Sequence, residues 1–265
     1  LELNGRRASK VYENDWAYFE PVHTPSCAAF NRSSKNSSFL LIIVKSSPYH
    51  FLKREAVRAT WGLISNHSGF FIRTIFVMGR QADVAPAALE KLRRELRLHR
   101  DVLIGNYIDS YRNNTLKFLS AVQFSFDYCR EQRTVPYALF VDDDYLVLMQ
   151  NLVAEVKKHD VSLLAYPFDR YPPYISAGAV LLSSQAIREM YYAIQHTRLY
   201  AYDDVYAGIL AKSLDLPVTH NKNMRFWKAA LSENDASSVI CAHGFEEEGL
   251  KNIYSELRRK IPGFA

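Results

Sequence analysis

Tyr137-Ala138-Leu139-Phe140-Val141-Asp142-Asp143-Asp144 sets a short apolar run directly against three aspartates. The run has no polar alternation and is too short for a helix. It reads as a strand covered on both faces, the kind found in parallel sheets. Adjacent carboxylates at its end repel one another unless a cation or a proton intervenes. Oxygen ligands suit magnesium or manganese better than zinc, and such ions commonly hold phosphates as well. The same residues also fit a solvated acidic turn ahead of a helix over 149–157, which the helix dipole would favour.

Working upstream, Phe39-Leu40-Leu41-Ile42-Ile43-Val44 is another continuous apolar run, followed by a predicted helix over 50–61 that stops at Gly62. The rhythm repeats with a strand at Thr74-Ile75-Phe76-Val77-Met78 and a helix carrying Ala85, Ala88, Leu89, Leu92 and Leu96 on one face. A strand at Val102-Leu103-Ile104 and a helix over 115–129, with Leu116, Leu119, Val122 and Phe126 on its stripe, complete the pattern. Downstream lie a strand at Ala179-Val180-Leu181-Leu182, a helix starting near Ser183 or Ser184 that buries Ile187, Met190, Tyr191 and Ile194, and a helix over 203–214 with Val205, Ile209, Leu210 and Leu214 inward. Strands alternating with amphipathic helices predict an α/β, Rossmann-like fold with a mainly parallel central sheet and right-handed crossovers. Ligands of such sheets bind at the carboxyl ends of the strands, where Asp142 to Asp144 stand. Residues 1–38 lack periodicity and read as a stem or irregular segment; 39–265 read as a single domain without repeat or linker.

With 265 residues, 48% hydrophobic and 23% charged, the chain has material for a sizeable core, which excludes a disordered or fibrous protein. The net charge of +5 is dispersed and lacks a basic-aromatic recognition module, so no nucleic-acid partner is expected. No stretch is apolar for long enough to span a bilayer, and a chain opening at Leu1 reads as a trimmed or mature fragment. Cys27, Cys129 and Cys241 fit no zinc spacing and allow at most one internal disulfide. Sequons at Asn31, Asn36, Asn66 and Asn113 lean towards the secretory route. Phosphate-loop, dinucleotide-binding, nucleophile-elbow and zinc-protease signatures are all absent, so a bound nucleotide would rely on a metal.

Three further constellations matter. Asp203-Asp204 opens a predicted helix, where one carboxylate serves as an N-terminal cap and another is free for general-base work. His243 follows a short apolar run; it is either a satisfied structural histidine or a metal ligand. Tyr171-Pro172-Pro173-Tyr174 ahead of Ala177-Gly178 is either a surface turn or an aromatic wall for a sugar ring.

Taken in order, these residues resemble the inverting β1,3-glycosyltransferases of glycosyltransferase family 31. The resemblance runs through Arg54-Glu55-Ala56-Val57-Arg58-Ala59-Thr60-Trp61-Gly62, Asp109-Ser110-Tyr111, Asn114-Thr115-Leu116-Lys117, Phe140-Val141-Asp142-Asp143-Asp144, the Pro-Pro motif, Asp203-Asp204-Val205-Tyr206-Ala207-Gly208 and Ser238 to Phe245. Within that family, Tyr166-Pro167-Phe168-Asp169-Arg170 is most similar to brainiac-type enzymes. The resemblance implies a GT-A fold, a UDP-sugar donor, manganese, and a type II Golgi membrane protein with a lumenal catalytic domain. Carried onto this sequence it makes Asp142, Asp144 and His243 the metal set and Asp204 the catalytic base. It places Asp143, Arg54, Arg58 and Lys117 at the donor, and Tyr171, Tyr174 and Asp203 at the acceptor or sugar wall.

The implied reaction is transfer of N-acetylglucosamine, or alternatively galactose or N-acetylgalactosamine, to the 3-hydroxyl of a glycan, expected on a glycolipid. A catalytically inactive relative serving as a binding or folding partner is the reading from another class. Two departures from the family pattern stand out. Lys157-Lys158-His159-Asp160 runs almost directly into Val161-Ser162, which leaves out a loop of roughly twenty residues that the family carries. Ile175 stands where many members have cysteine, removing one disulfide partner.

Overall fold

The computed structural model describes residues 2–3, 6–7, 20–25, 38–82, 85–128, 137–158 and 163–264, except 166, 169–173, 177, 229 and 233. Strand β1 (Pro21–His23) precedes β2 (Ser38–Lys45), α1 (Phe51–Ala59), β3 (Phe70–Arg80), α2 (Pro86–His99), β4 (Val102–Ile108), α3 (Asn114–Gln123) and β5 (Tyr137–Asp142). Then come β6 (Tyr145–Val147), α4 (Met149–Lys158), β7 (Leu163–Ala165), β8 (Ala179–Leu182), α5 (Ser184–Ile194) and α6 (Asp203–Ser213). The chain closes with β9 (Val218–His220), β10 (Met224–Arg225), β11 (Cys241–His243) and α7 (Glu247–Lys260).

The main sheet runs β9-β7-β8-β5-β2-β3-β4-β1, with the short strand Asn66–His67 beside β3. Its centre is parallel: β2 pairs in parallel with both β3 and β5, and β3 with β4. β8 is antiparallel to both β5 and β7, and β9 is parallel to β7, so β7 and β9 share the central direction. The α/β expectation therefore holds, with reversed strands confined to β8 and the margins.

The uninterrupted apolar run of β2 has the predicted cause. Leu40, Ile42 and Val44 pack with side chains of α1, α4 and α7 on one face, while Leu41 and Ile43 pack with α3, α5 and α6 on the other. All five are fully buried, each worth about 1.5–3 kcal/mol of hydrophobic stabilisation. Register then places Lys45, the last residue of β2, opposite Asp142, the last of β5.

Several elements depart from the sequence expectations. Strand β3 extends well beyond Thr74–Met78 on both sides. The helix over 50–61 ends at Ala59 and tightens into a 3₁₀ turn, Trp61–Leu63, while the helix over 115–129 loosens into a π turn at Phe124–Tyr128. Helix α6 buries Tyr206, Ala207, Leu210 and Ala211, rotated from the expected Val205 and Ile209 stripe. Pro21–His23, within the segment read as irregular, pairs with β4. Ser183 caps α5 as predicted, its hydroxyl accepting from the Ala186 amide at 3.1 Å.

A second sheet, β10-β11-β6, is what the sequence did not announce. It lays Cys241, Ala242 and His243 against Val147, Leu146 and Tyr145, so residues about a hundred positions apart meet beside the aspartates.

Candidate active site

The carboxyl ends of β2, β3, β4 and β5 open into a cleft of about 460 Å³. Lys45 and Ser46 come from β2, Gln81 from β3, Asp109 from β4 and Asp142 to Asp144 from β5, with Lys117 reaching in from α3. Parallel strands end at one edge, so their following residues converge without special loop design.

Lys45 joins the two acidic motifs. Its Nζ lies 3.0 Å from Asp142 Oδ1 and 2.7 Å from Asp203 Oδ2. Burial opposes the ammonium charge, but the two carboxylates outweigh it and the lysine pKa is raised. The bridge fixes the start of α6, and with it Asp204, next to the end of β5.

The three aspartates have different fates. Asp142 is pushed up to about 6, chiefly by desolvation; Lys45 counteracts this, while Asp203 and Asp144 add to it. Asp143 turns inward: its Oδ2 accepts from Ser46 Oγ at 2.7 Å and pairs with His50 Nδ1 at 2.8 Å. Asp144 Oδ2 lies 3.3 Å from His243 Nε2, and its Oδ1 is buried without a hydrogen-bond partner. The backbone carbonyl of Asp144 accepts from the amides of Gly244 and Phe245 at 3.0 and 2.9 Å, which locks the aspartate to β11. Gly244 adopts φ +95°, and a side chain there would also collide with Lys228, so glycine is required at this turn.

This donor set fits a hard divalent cation. Asp144 presents an orphaned buried oxygen, Asp142 resists ionisation, and an imidazole stands alongside. Among the described residues no three acidic, histidine or cysteine side chains already converge on one point. An ion held here would keep several positions for water and phosphate oxygens, as magnesium-like ions do.

Asp204 is half-buried at the start of α6. Its Oδ1 accepts from the Val205 amide at 2.7 Å. Desolvation raises its pKa above the ordinary carboxylate range, the Val205 bond draws it down, and the Asp203 charge raises it further. Tyr174 lies on a two-residue strand packed against α6, while Tyr171 lies outside the described residues.

Four expected donor or acceptor residues have other partners. Arg54 is fully buried; its Nε and Nη2 grip Glu95 in two 2.7 Å bonds, and its Nη1 donates to Ser46 Oγ and Ser47 O. Arg58 forks onto Asp101 with two 2.8 Å bonds and stacks over Phe76. Arg54 braces the turn beside the cleft, Arg58 ties α1 to Glu95 and Asp101 behind it, and neither lines it. Asp203 is likewise buried on Lys45, and Asp143 lines the cleft with its Oδ2 taken by Ser46 and His50. Lys117 does line the cleft, held 3.1 Å from Asp109 and donating to Ser46 O at 2.9 Å.

Sequence reasoning missed Lys45, Lys53 and Gln81. A lysine closing a wholly apolar strand was a readable signal, since such a charge must find partners. Among the described residues Lys53 has only long ion pairs, 3.9 Å to Asp143 and to Glu246, which leaves it the cleft cation most able to turn to an anion. Of the sequons, Asn66 is exposed, whereas the Asn113 amide already donates to Ile108 O at 2.8 Å; Asn31 and Asn36 lie outside the described residues. Cys241 is buried and free, with its pKa raised by burial, while Cys27 and Cys129 lie outside the described residues.

A family model described as galactosyltransferase matches residues 52–164 and 157–222. The two stretches overlap over 157–164, the place where the family resemblance implies a further loop. The β-1,3-galactosyltransferase bre-5 of Caenorhabditis elegans is 35% identical over 251 residues, spanning 85% of this chain and 77% of its own. The β-1,3-galactosyltransferase brn of Drosophila melanogaster is 33% identical over 248 residues, spanning 83% of this chain and 74% of its own. Among solved structures, galactosyltransferase LgtC in complex with donor and acceptor sugar analogues aligns with a TM-score of 0.41 at 13% identity, over 84% of this chain and 98% of that one. By the family model and the two invertebrate relatives the protein is a glycosyltransferase, built on an α/β sheet flanked by helices. More particularly, the chain belongs to the galactosyltransferase family, the β1,3-glycosyltransferases of family 31.

Proposed function

We propose that the protein transfers a sugar from a UDP-sugar to the 3-hydroxyl of an acceptor glycan, with inversion and with manganese. The observation that supports this reading is the Lys45 bridge from Asp142 to Asp203, which sets the aspartate end of β5 next to the start of α6 that carries Asp204. Asp142, Asp144 and His243 would hold the ion, which offsets charge on the departing diphosphate. Lys53 and Lys117 add positive charge along the same wall. Asp204 takes the proton from the acceptor hydroxyl as it attacks the anomeric carbon from the face opposite the diphosphate. A pKa above the usual carboxylate range makes it a better base than an exposed aspartate.

The brainiac-type resemblance favours N-acetylglucosamine as donor sugar, whereas the names of both invertebrate relatives favour galactose. Both belong in the first assay. The proposed setting is the Golgi lumen with a glycolipid acceptor, the enzyme being anchored by a segment outside this sequence; among the described residues no helix is long and apolar enough to cross a membrane. An inactive binding relative is disfavoured because a half-buried Asp204 with a raised pKa and an orphaned Asp144 oxygen are both costly without catalytic use.

The test is transfer from a panel of UDP-sugars with manganese, with and without chelator. Asp204→Asn is expected to lose transfer by about a hundredfold or more while UDP still binds, since general-base catalysis is worth 10²–10⁴. Because the ionised form is the active one, the wild-type rate falls as pH drops through the raised Asp204 pKa, and this limb lies above the ordinary carboxylate range. Activity that survives both chelation and Asp204→Asn defeats the mechanism.

A further inference from the structure

We propose that Gln81 reads the nucleobase of the donor, pairing its side-chain amide with the imide edge of uracil; this rests on the UDP-sugar reading above. Gln81 follows β3 and lines the cleft. Its amide nitrogen and amide oxygen are both buried, and neither has a hydrogen-bond partner. Each such group costs about 1–3 kcal/mol when left unsatisfied. Among the described residues, the cleft wall carries two side chains with orphaned buried atoms, Asp144 and Gln81. Four other polar side chains on the wall, Lys45, Asp109, Lys117 and Asp143, are bonded within the protein. Two unmet demands at separate points on one wall are what a ligand with two polar ends would satisfy.

Strand order supplies the direction. Asp142 and Asp144 follow β5, Lys45 closes β2, Gln81 follows β3, and Asp109 to Tyr111 follow β4. Neighbouring strands lie about 4.8 Å apart, so Gln81 stands roughly two spacings from the aspartates. A diphosphate at the aspartate end directs the nucleoside along the wall towards β3 and β4. There the 77% exposed Tyr111 offers a ring face at the rim. Uracil presents an N3–H donor beside a carbonyl acceptor, and a carboxamide presents an acceptor beside a donor. Two bonds form together, in the bidentate manner by which glutamine reads a base edge in nucleic acids. Rotation between staggered side-chain wells brings the amide out to the base.

The test is Gln81→Met, which keeps length and removes both polar atoms. Titration calorimetry with manganese present compares UDP with pyrophosphate, the probe lacking a base, and thermal unfolding is recorded without ligand. UDP affinity is expected to fall about tenfold or more, from two lost bonds, while pyrophosphate affinity stays unchanged. The ligand-free variant is expected to unfold about 2 °C higher or more, because an unsatisfied amide has been removed. A structural glutamine would give the opposite sign, so a variant that unfolds earlier or does not fold overturns the proposal. So does unchanged UDP affinity, or a loss shared equally by pyrophosphate. Wild-type protein that binds pyrophosphate but not UDP overturns the donor reading along with this one.

Discussion

At the scale of single residues, Lys45 decides whether two acidic motifs form one site. Its ammonium is buried between Asp142 and Asp203, and among the described residues neither carboxylate has another cation as close. Lys45→Met would leave both carboxylates crowded without their counter-charge. Removing one partner of a buried ion pair costs about 3–5 kcal/mol, far above an average surface substitution. Denaturant unfolding should show a loss of that size; a midpoint equivalent to within about 1 kcal/mol of wild type would mean the bridge holds nothing. Lys45→Arg keeps the charge, but its planar fork does not reproduce a point charge shared between two acids, so only partial recovery is expected.

At the scale of elements, the pair α1 and α2 forms a brace behind the cleft. Arg54 and Arg58 of α1 both bind Glu95 of α2, Arg58 also holds Asp101, and Arg54 reaches the Ser46–Ser47 backbone turn after β2. The family motif around Trp61 is thereby explained as architecture: Trp61 Nε1 donates to Tyr145 O at 3.0 Å, tying the end of α1 to β6. Glu95→Ala strands a fully buried guanidinium and should cost about 3–5 kcal/mol. The double replacement Arg54→Met with Glu95→Met should cost less, because the buried guanidinium goes with its partner and Arg58 keeps Asp101. Both variants should raise the donor KM more than they lower kcat, since the turn they release carries Ser46 and Ser47 on the cleft wall. A kcat loss with unchanged KM would place the brace in the chemical step instead.

At the scale of the whole molecule, the periodic part of the fold was legible and the long-range part was not. Continuous apolar runs identified β2, β3 and β5 because burial on both faces leaves no polar alternation, and the rule for parallel sheets then located the cleft. The second sheet escaped because β6 and β11 are three-residue strands too short to show a period, and only their pairing places His243 beside Asp144. Arg54 was misread for a related reason: a motif position says where a residue lies along the chain, while its salt-bridge partner Glu95 is forty-one positions away. That same long-range closure makes a prediction about global stability. On the proposed metal set, an ion bound by Asp142, Asp144 and His243 links β5 and β6 to β11, segments that separate on unfolding. Ligand that binds only the folded state at a hundred times its dissociation constant adds about 2.7 kcal/mol, which is roughly 5–10 °C for a chain of this size. Manganese with UDP should therefore raise the unfolding temperature by about that amount, and more than either alone, because the diphosphate supplies oxygens that the protein set leaves open. Asp144→Ala and His243→Ala should each shrink the shift, and the double variant should abolish it. A full shift in the double variant would place the ion elsewhere and leave the Asp144–His243 contact as an ordinary structural pair.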